Sequence, residues 1–416
     1  MTCHEASVIT RRTLLGTGAA SLALWSLLPK AALAGTRDPR LLVMVLRGGL
    51  DGLATVAPIG DPDYARLRGA IALSSIGEGA GLPLNDFFAL NGAMPQLHGL
   101  YRSGEALIVH AAHTPYRARS HFDGQDVLES GLPGVAKVED GWLNRALAKL
   151  PDAGRANPRG LALGAVVPLV MRGRAPVLSW IPKVYGVPLR EATIARLMDL
   201  YAETDPVLAR AFAEGMEIHR VADANAGAAA VLPGAGQTQT PAERLNRQFT
   251  EAAEAAAKFL RTADGPRVGV LSYDGWDTHA NEGPIKGQLA LRLGSLDAAI
   301  AALKNGMGPA WQDTVTVIVT EFGRTAWVNG TQGTDHGMAT VAMLVGGAVK
   351  GGRVLADWPG LRESALYEGR DLAPTRDLRT VLKGVLRDHL GIPEGALAGG
   401  IFPDSAAARP LDGLIA

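Results

Sequence analysis

Apolar residues fall along the chain in two rhythms. Short runs rich in β-branched residues occupy 41–46 (LLVMVL), 106–111 (ALIVHA), 267–273 (RVGVLSY), 314–320 (TVTVIVT) and 339–345 (ATVAMLV). Runs of this length with apolar residues at nearly every position predict strands buried on both faces. Longer stretches at 191–224, 241–261, 283–305 and 375–390 carry the three-to-four-residue spacing of amphipathic helices. Pro241 opens the second of these with Thr240 as its cap, and Gly306 closes the third. Strands alternating with helices predict a mostly parallel sheet with helices on both sides, a three-layer α/β/α sandwich. Glycine is abundant (51 of 416 residues) but dispersed, as expected of many tight turns between strands and helices. The one low-complexity stretch, 227–240, reads as a hinge within an elaboration around 135–240 of a single domain spanning 35–416.

The first 34 residues have a different character. Arg11 and Arg12 precede an apolar run at 14–28, and Ala32-Leu33-Ala34 supplies a small-residue cleavage site before Gly35. This is the pattern of a twin-arginine export signal, and the apolar run is shorter than the roughly 20 residues a membrane span needs. Cleavage would remove Cys3, the only cysteine, and leave 38 basic against 40 acidic side chains. The expected mature protein is periplasmic or secreted and has neither disulfide nor thiol nucleophile. It makes no stable membrane insertion, and the twin-arginine export machinery is its expected first partner. A near-zero charge without a basic stripe argues against a nucleic-acid partner.

Open α/β sheets bind ligands beyond the carboxyl ends of their strands, and those positions are rich in donors here. Asp51 follows the first run, Asp277 and His279 follow the third, Glu321 follows the fourth, and Asp335 and His336 precede the fifth. Carboxylates mixed with imidazoles suit one or two divalent ions: zinc, manganese, iron or magnesium. Asp277 and His279 are two residues apart, so an extended segment points both the same way. After the second run, Ser120 stands at the start of a helical stretch, where free backbone N–H groups favour an anion. Arg117 and Arg119 beside it offer a clamp for phosphate or sulfate. Ser120 is the candidate nucleophile and Arg119 its candidate partner in catalysis. A metal-independent serine hydrolase is disfavoured, because no G-x-S-x-G turn is present.

The segments LRGGLDGL (46–53), RSHFDGQD (119–126), DTH (277–279), TEFGRT (320–325) and GTDHG (333–337) behind such a signal resemble an exported bacterial family, domain of unknown function 1501. That family is grouped with the alkaline phosphatase and sulfatase superfamily. The resemblance implies an alkaline-phosphatase-like fold and metal-dependent hydrolysis of a small-molecule or polymeric phosphate or sulfate ester. It places Asp51 on one ion, Asp277, His279 and His336 on another, and Ser120 as nucleophile. Glu321 falls where the superfamily has an aspartate–histidine pair; Phe322 replaces the histidine, which implies a preference for a harder ion. The resemblance also admits a non-catalytic envelope binding or assembly protein on the same scaffold.

Overall fold

In the computed structural model, which describes residues 37–74, 80–150, 159–164, 166–181 and 240–416, strand β1 (Arg40–Arg47) is buried along almost its whole length. Its side chains alternate between two cores, Leu41, Val43 and Val45 entering one and Leu42, Met44 and Leu46 the other. That two-residue period is what a strand between two helical layers requires. Each such side chain contributes about 1.5–3 kcal/mol by leaving water.

Strands β2 (Val56–Ala57), β3 (Leu82–Pro83) and β4 (Ala89–Leu90) form a small antiparallel sheet of their own. The main sheet takes β1 together with β5 (Ala106–His113), β6 (Gly160–Leu163), β7 (Val177–Trp180), β8 (Val268–Asp274), β9 (Thr314–Val319), β10 (Thr340–Val345), β11 (Arg353–Leu355) and β12 (Arg376–Asp377). Its nine strands run in the order β11-β5-β10-β9-β1-β8-β6-β7, with β12 also on β5. Every pairing is parallel except the two made by β10, which runs against β5 and β9. Helices Pro95–Arg102, Pro241–Leu260 and Gln288–Met307 cover one face. Helices His121–Ser130, Trp142–Leu147 and Leu378–Asp388 cover the other. The protein is therefore a three-layer α/β/α structure around a mostly parallel sheet.

All five apolar runs are strands of this sheet, and the capping of the 241 helix by Thr240 is complete, with Glu243 reciprocating. Several boundaries differ from the sequence reading. The helix expected at 283 begins at Gln288, because Gly283 (φ 55°) and Gly287 (φ 152°) hold a non-helical loop. It passes Gly306 and ends at Gly308, whose φ of 54° the helix cannot continue. Residues 376–377 leave the expected last helix to pair with β5. Strands β6 and β7 lie within the stretch read as an elaboration and extend the main sheet. The signal at 1–34, the helix read at 191–224 and the hinge at 227–239 lie outside the described residues. Residues Pro39–Ala416 form one unit, apart from Met1–Asp38. Among the described residues no helix is long and apolar enough to cross a membrane.

Candidate metal centre

The reversal of β10 decides which residues meet. Parallel β1, β5, β8 and β9 end at one edge of the sheet, and β10 begins there, so the residues before β10 join those after the others. Two loops lock together at this edge. Gly323 N–H donates to Met338 O (3.0 Å), Gly337 N–H to Gly323 O (2.8 Å) and Thr325 N–H to Asp335 O (2.8 Å). The approach is close enough to need glycine: a Cβ on Gly337 would lie 2.4 Å from the Arg324 backbone, and one on Gly333 would lie 2.3 Å from that of His279.

Three imidazoles converge over this ribbon. His336 Nε2 lies 2.9 Å from His121 Nε2 and 2.9 Å from His279 Nε2. Asp277 completes the group, Oδ1 lying 3.2 Å from His336 Nε2 and 3.0 Å from His279 Nε2, with Oδ2 3.3 Å from His121 Nε2. Each opposite ring nitrogen faces an acceptor. His121 Nδ1 is 2.8 Å from Glu321 Oε1, His279 Nδ1 is 3.2 Å from Asp335 Oδ1, and His336 Nδ1 is 2.9 Å from the Arg119 carbonyl. These acceptors assign the proton of each neutral ring to Nδ1. The Nε2 atoms then carry lone pairs and no proton to share, so neutral rings at 2.9 Å repel unless a cation sits among them. Donors about 2.0–2.2 Å from a tetrahedral ion stand roughly 3.3 Å apart, close to the 2.9–3.3 Å spacings here. Histidine backed by carboxylate or carbonyl is the usual architecture of a metal site.

Charge points the same way. Burial works against the Asp277 anion, but its contacts with His336 and Arg324 and the Arg324 charge outweigh it and hold its pKa below the usual range. Glu321 is likewise opposed by burial, and hydrogen bonds from His121, Gln125 and Gly48 N–H hold it low. Asn329 and His279 do the same for Asp335. Arg324 Nη1 lies 2.5 Å from Asp277 Oδ1, and the Arg370 charge acts on Asp335. With neutral imidazoles, the three carboxylates and the Arg324 and Arg370 guanidiniums leave an excess of negative charge that favours a cation. The hydrogen bond that His121 donates to Glu321 raises the pKa of His121 despite its burial, as expected of a cluster short of positive charge.

The residues singled out in the sequence are distributed unequally. Asp277, His279 and His336 meet at the centre. Glu321 and Asp335 stand one step further out, facing Nδ1 atoms rather than the convergence point. Asp51 belongs elsewhere: it is buried, caps the short helix Gly52–Thr55 and pairs with the fully buried Arg68. That guanidinium already supplies the cation for Asp51, and among the described residues one candidate ion-binding group is gathered. Arg119 does not present a free clamp, since its guanidinium is taken by Asp371 (2.7 Å) and Glu368 (2.6 Å). Arg117 donates to the carbonyls of Thr114 (2.5 Å) and Tyr116 (2.8 Å). Ser120 is the N-cap residue of helix His121–Ser130, but its hydroxyl makes no capping bond.

His121 was passed over in the sequence, where it reads as the first residue of a helix. The available signal was its position beside Ser120 at a strand-to-helix junction on the donor-rich edge. It restores the imidazole that Phe322 displaced: the Phe322 ring packs against His121 (4.8 Å between centroids) and His336 (5.2 Å). The candidate donor set is consequently nitrogen-rich.

No curated protein matches the chain in sequence. Among solved structures, it is similar to a protein in the alkaline phosphatase superfamily from Vibrio parahaemolyticus at 12% identity and TM-score 0.35, covering 77% of this chain and 63% of that one. It is also similar to the phosphonate monoester hydrolase of Agrobacterium radiobacter at 11% identity and TM-score 0.37, covering 86% and 74%. A third similarity is to the C-terminal periplasmic domain of EcEptC from Escherichia coli in complex with Zn, at 11% identity and TM-score 0.35, covering 75% and 73%. The profile of the protein family of unknown function DUF1501 matches residues 105–393, which include every residue of the metal centre, and the chain belongs to that family.

Proposed function

We propose that this protein is an exported, metal-dependent hydrolase of phosphate or sulfate esters, with one divalent ion held by His121, His279, His336 and Asp277. The observation that carries the reading is the meeting of His121, Asp277 and His336, whose ligand atoms all lie within 4.8 Å of one another, with His279 Nε2 2.9 Å from His336 Nε2. Bound there, the ion supplies a Lewis acid that offsets charge on the ester oxygens. Zinc suits the donors best, with manganese and iron next.

The chain's own residues supply the rest of the chemistry. Ser120 Oγ, uncommitted to its helix and adjacent to His121, is the nucleophile. Its oxygen bonds to phosphorus or sulfur as the ester oxygen leaves and takes up the hydroxyl proton to depart as the alcohol, and water then releases the acid and regenerates the hydroxyl. The free N–H groups of the first turn of helix His121–Ser130 receive the anion. Glu321, Asp335 and the Arg119 carbonyl keep the imidazoles in the ligating tautomer. Arg119, bound to Asp371 and Glu368, fixes the loop that carries this carbonyl. Export by the twin-arginine machinery, after folding and ion loading, completes the reading.

Elemental analysis of the purified protein, with hydrolysis of aryl phosphate and aryl sulfate measured before and after chelation, tests it. The expected result is one ion per chain and chelator-sensitive turnover that Ser120→Ala abolishes while keeping the ion. A metal-free protein indifferent to chelator refutes it. A second reading, an envelope binding or assembly protein without turnover, is favoured by one observation: Arg119 and Arg324 are both committed to carboxylates, leaving neither guanidinium free to grip a substrate anion. Retained ion with no hydrolysis of either ester supports that reading.

A further inference from the structure

Arg324 is the guanidinium that touches Asp277, and its side chain is fully buried although it lies beside this partly exposed aspartate. Its fork is held on three sides. Nη1 donates to Asp277 Oδ1 (2.5 Å), Nη2 to the Thr334 carbonyl (2.7 Å) and Nε to Thr334 Oγ1 (3.2 Å). Thr334 Oγ1 in turn donates to Glu282 Oε2 (2.9 Å), and both residues are completely buried. Burial and the neighbouring Asp51 charge push the Glu282 pKa well up, which favours the neutral acid behind the guanidinium. The Arg324 charge is therefore directed at Asp277.

We propose that Arg324 is the positioning residue of the metal centre, acting through Asp277: its fixed fork engages Oδ1, confines the carboxylate to one-oxygen ligation and draws part of its charge away from the ion. This rests on the metal reading above. A planar fork held at three points sets the direction of its acceptor, which a single ammonium does not. Withdrawing charge from a ligand leaves the ion a stronger Lewis acid at some expense in affinity.

The two effects separate in Arg324→Gln and Arg324→Lys, each loaded with Co(II), whose visible d–d absorption weakens when four-coordinate geometry gives way to five. Arg324→Gln removes a positive charge beside the ion and frees Asp277 to use both oxygens. The expected result is at least tenfold tighter Co(II) binding with weaker visible absorption. Arg324→Lys keeps the charge in the same buried space but loses the fork; here affinity stays within about threefold of wild type, since the net charge is unchanged, while absorption weakens. A wild-type spectrum in Arg324→Lys overturns the proposal even if the glutamine variant does not fold. Equal or weaker binding by a folded Arg324→Gln overturns it as well, because a residue that only supports the loop loses affinity on removal. Failure of wild-type protein to bind Co(II) at all refutes the metal reading itself, a separate result.

Discussion

Glu321→Gln separates the charge behind the centre from its shape. Glu321 Oε1 accepts from Gly48 N–H (2.8 Å), His121 Nδ1 (2.8 Å) and Gln125 Nε2 (3.2 Å), while Oε2 accepts from Thr320 Oγ1 (3.0 Å). A glutamine with its carbonyl at the Oε1 position keeps the first three bonds. Its amide then faces Thr320 Oγ1, which can turn to accept. The geometry survives, and one negative charge behind the centre is lost. A unit charge about 7 Å from a divalent ion is worth about 5 kcal/mol at an effective dielectric of 20, a ceiling for this partly exposed site. Loss of a carboxylate behind a ligating histidine commonly costs 10–100-fold in affinity, about 1.4–2.8 kcal/mol. The expected loss for zinc lies in that interval. Competition against a chromophoric chelator at fixed ionic strength measures it, and thermal melts without metal confirm that the fold is unchanged. Zinc affinity within twofold of wild type in a folded variant would refute the electrostatic account of the centre.

Other perturbations test separate parts of the structure. Buried His110 holds Val56 O through Nε2 (2.9 Å) and accepts Ala111 N–H at Nδ1 (2.8 Å), leaving no place for a second proton, and burial lowers its pKa to about 4. Its neutral form is the folded one, so the stability it supports is complete above about pH 6.5 and falls as the pH drops towards 4. The loss approaches about 3 kcal/mol, and the excess acid sensitivity over His110→Gln in urea titrations reports it. Asp51→Asn strands the Arg68 guanidinium and is expected to cost about 3 kcal/mol of stability while leaving one ion per chain by elemental analysis; loss of that ion would return Asp51 to the centre. Gly337→Ala forces apart the ribbon bearing His336 and should weaken zinc binding at least tenfold. Gly99→Ala, whose added methyl meets nothing within 4 Å, serves as a control and should bind normally.

The layers of the fold were legible because β1, β5, β8, β9 and β10 are uninterrupted apolar runs, and such runs need two cores. β6, β7, β11 and β12 are two to four residues long, too short for periodicity to register. Asp277, His279 and His336 were legible as an edge because they border those runs. The order of pairing was not, and it alone seats β10 backwards between β5 and β9 and brings His336 to the other ligands. Asp51 shows the limit of reasoning from position. An aspartate after the first strand looks the same in sequence whether it faces an ion or a guanidinium, and Arg68, 17 residues on, carries no local mark of its destination. His121 was hidden for the opposite reason, since one helical residue among polar neighbours has no pattern of its own.

His121 and His336 are 215 residues apart in the chain, yet their ring nitrogens meet. No fragment ending before His336 contains the full ligand set, and a nascent chain closes so wide a loop late, after the local turns and helices have formed. Capture of an ion there would mark completion of the whole sheet. A cell that exports only finished molecules would gain, from a single bound atom, a certificate that assembly is over.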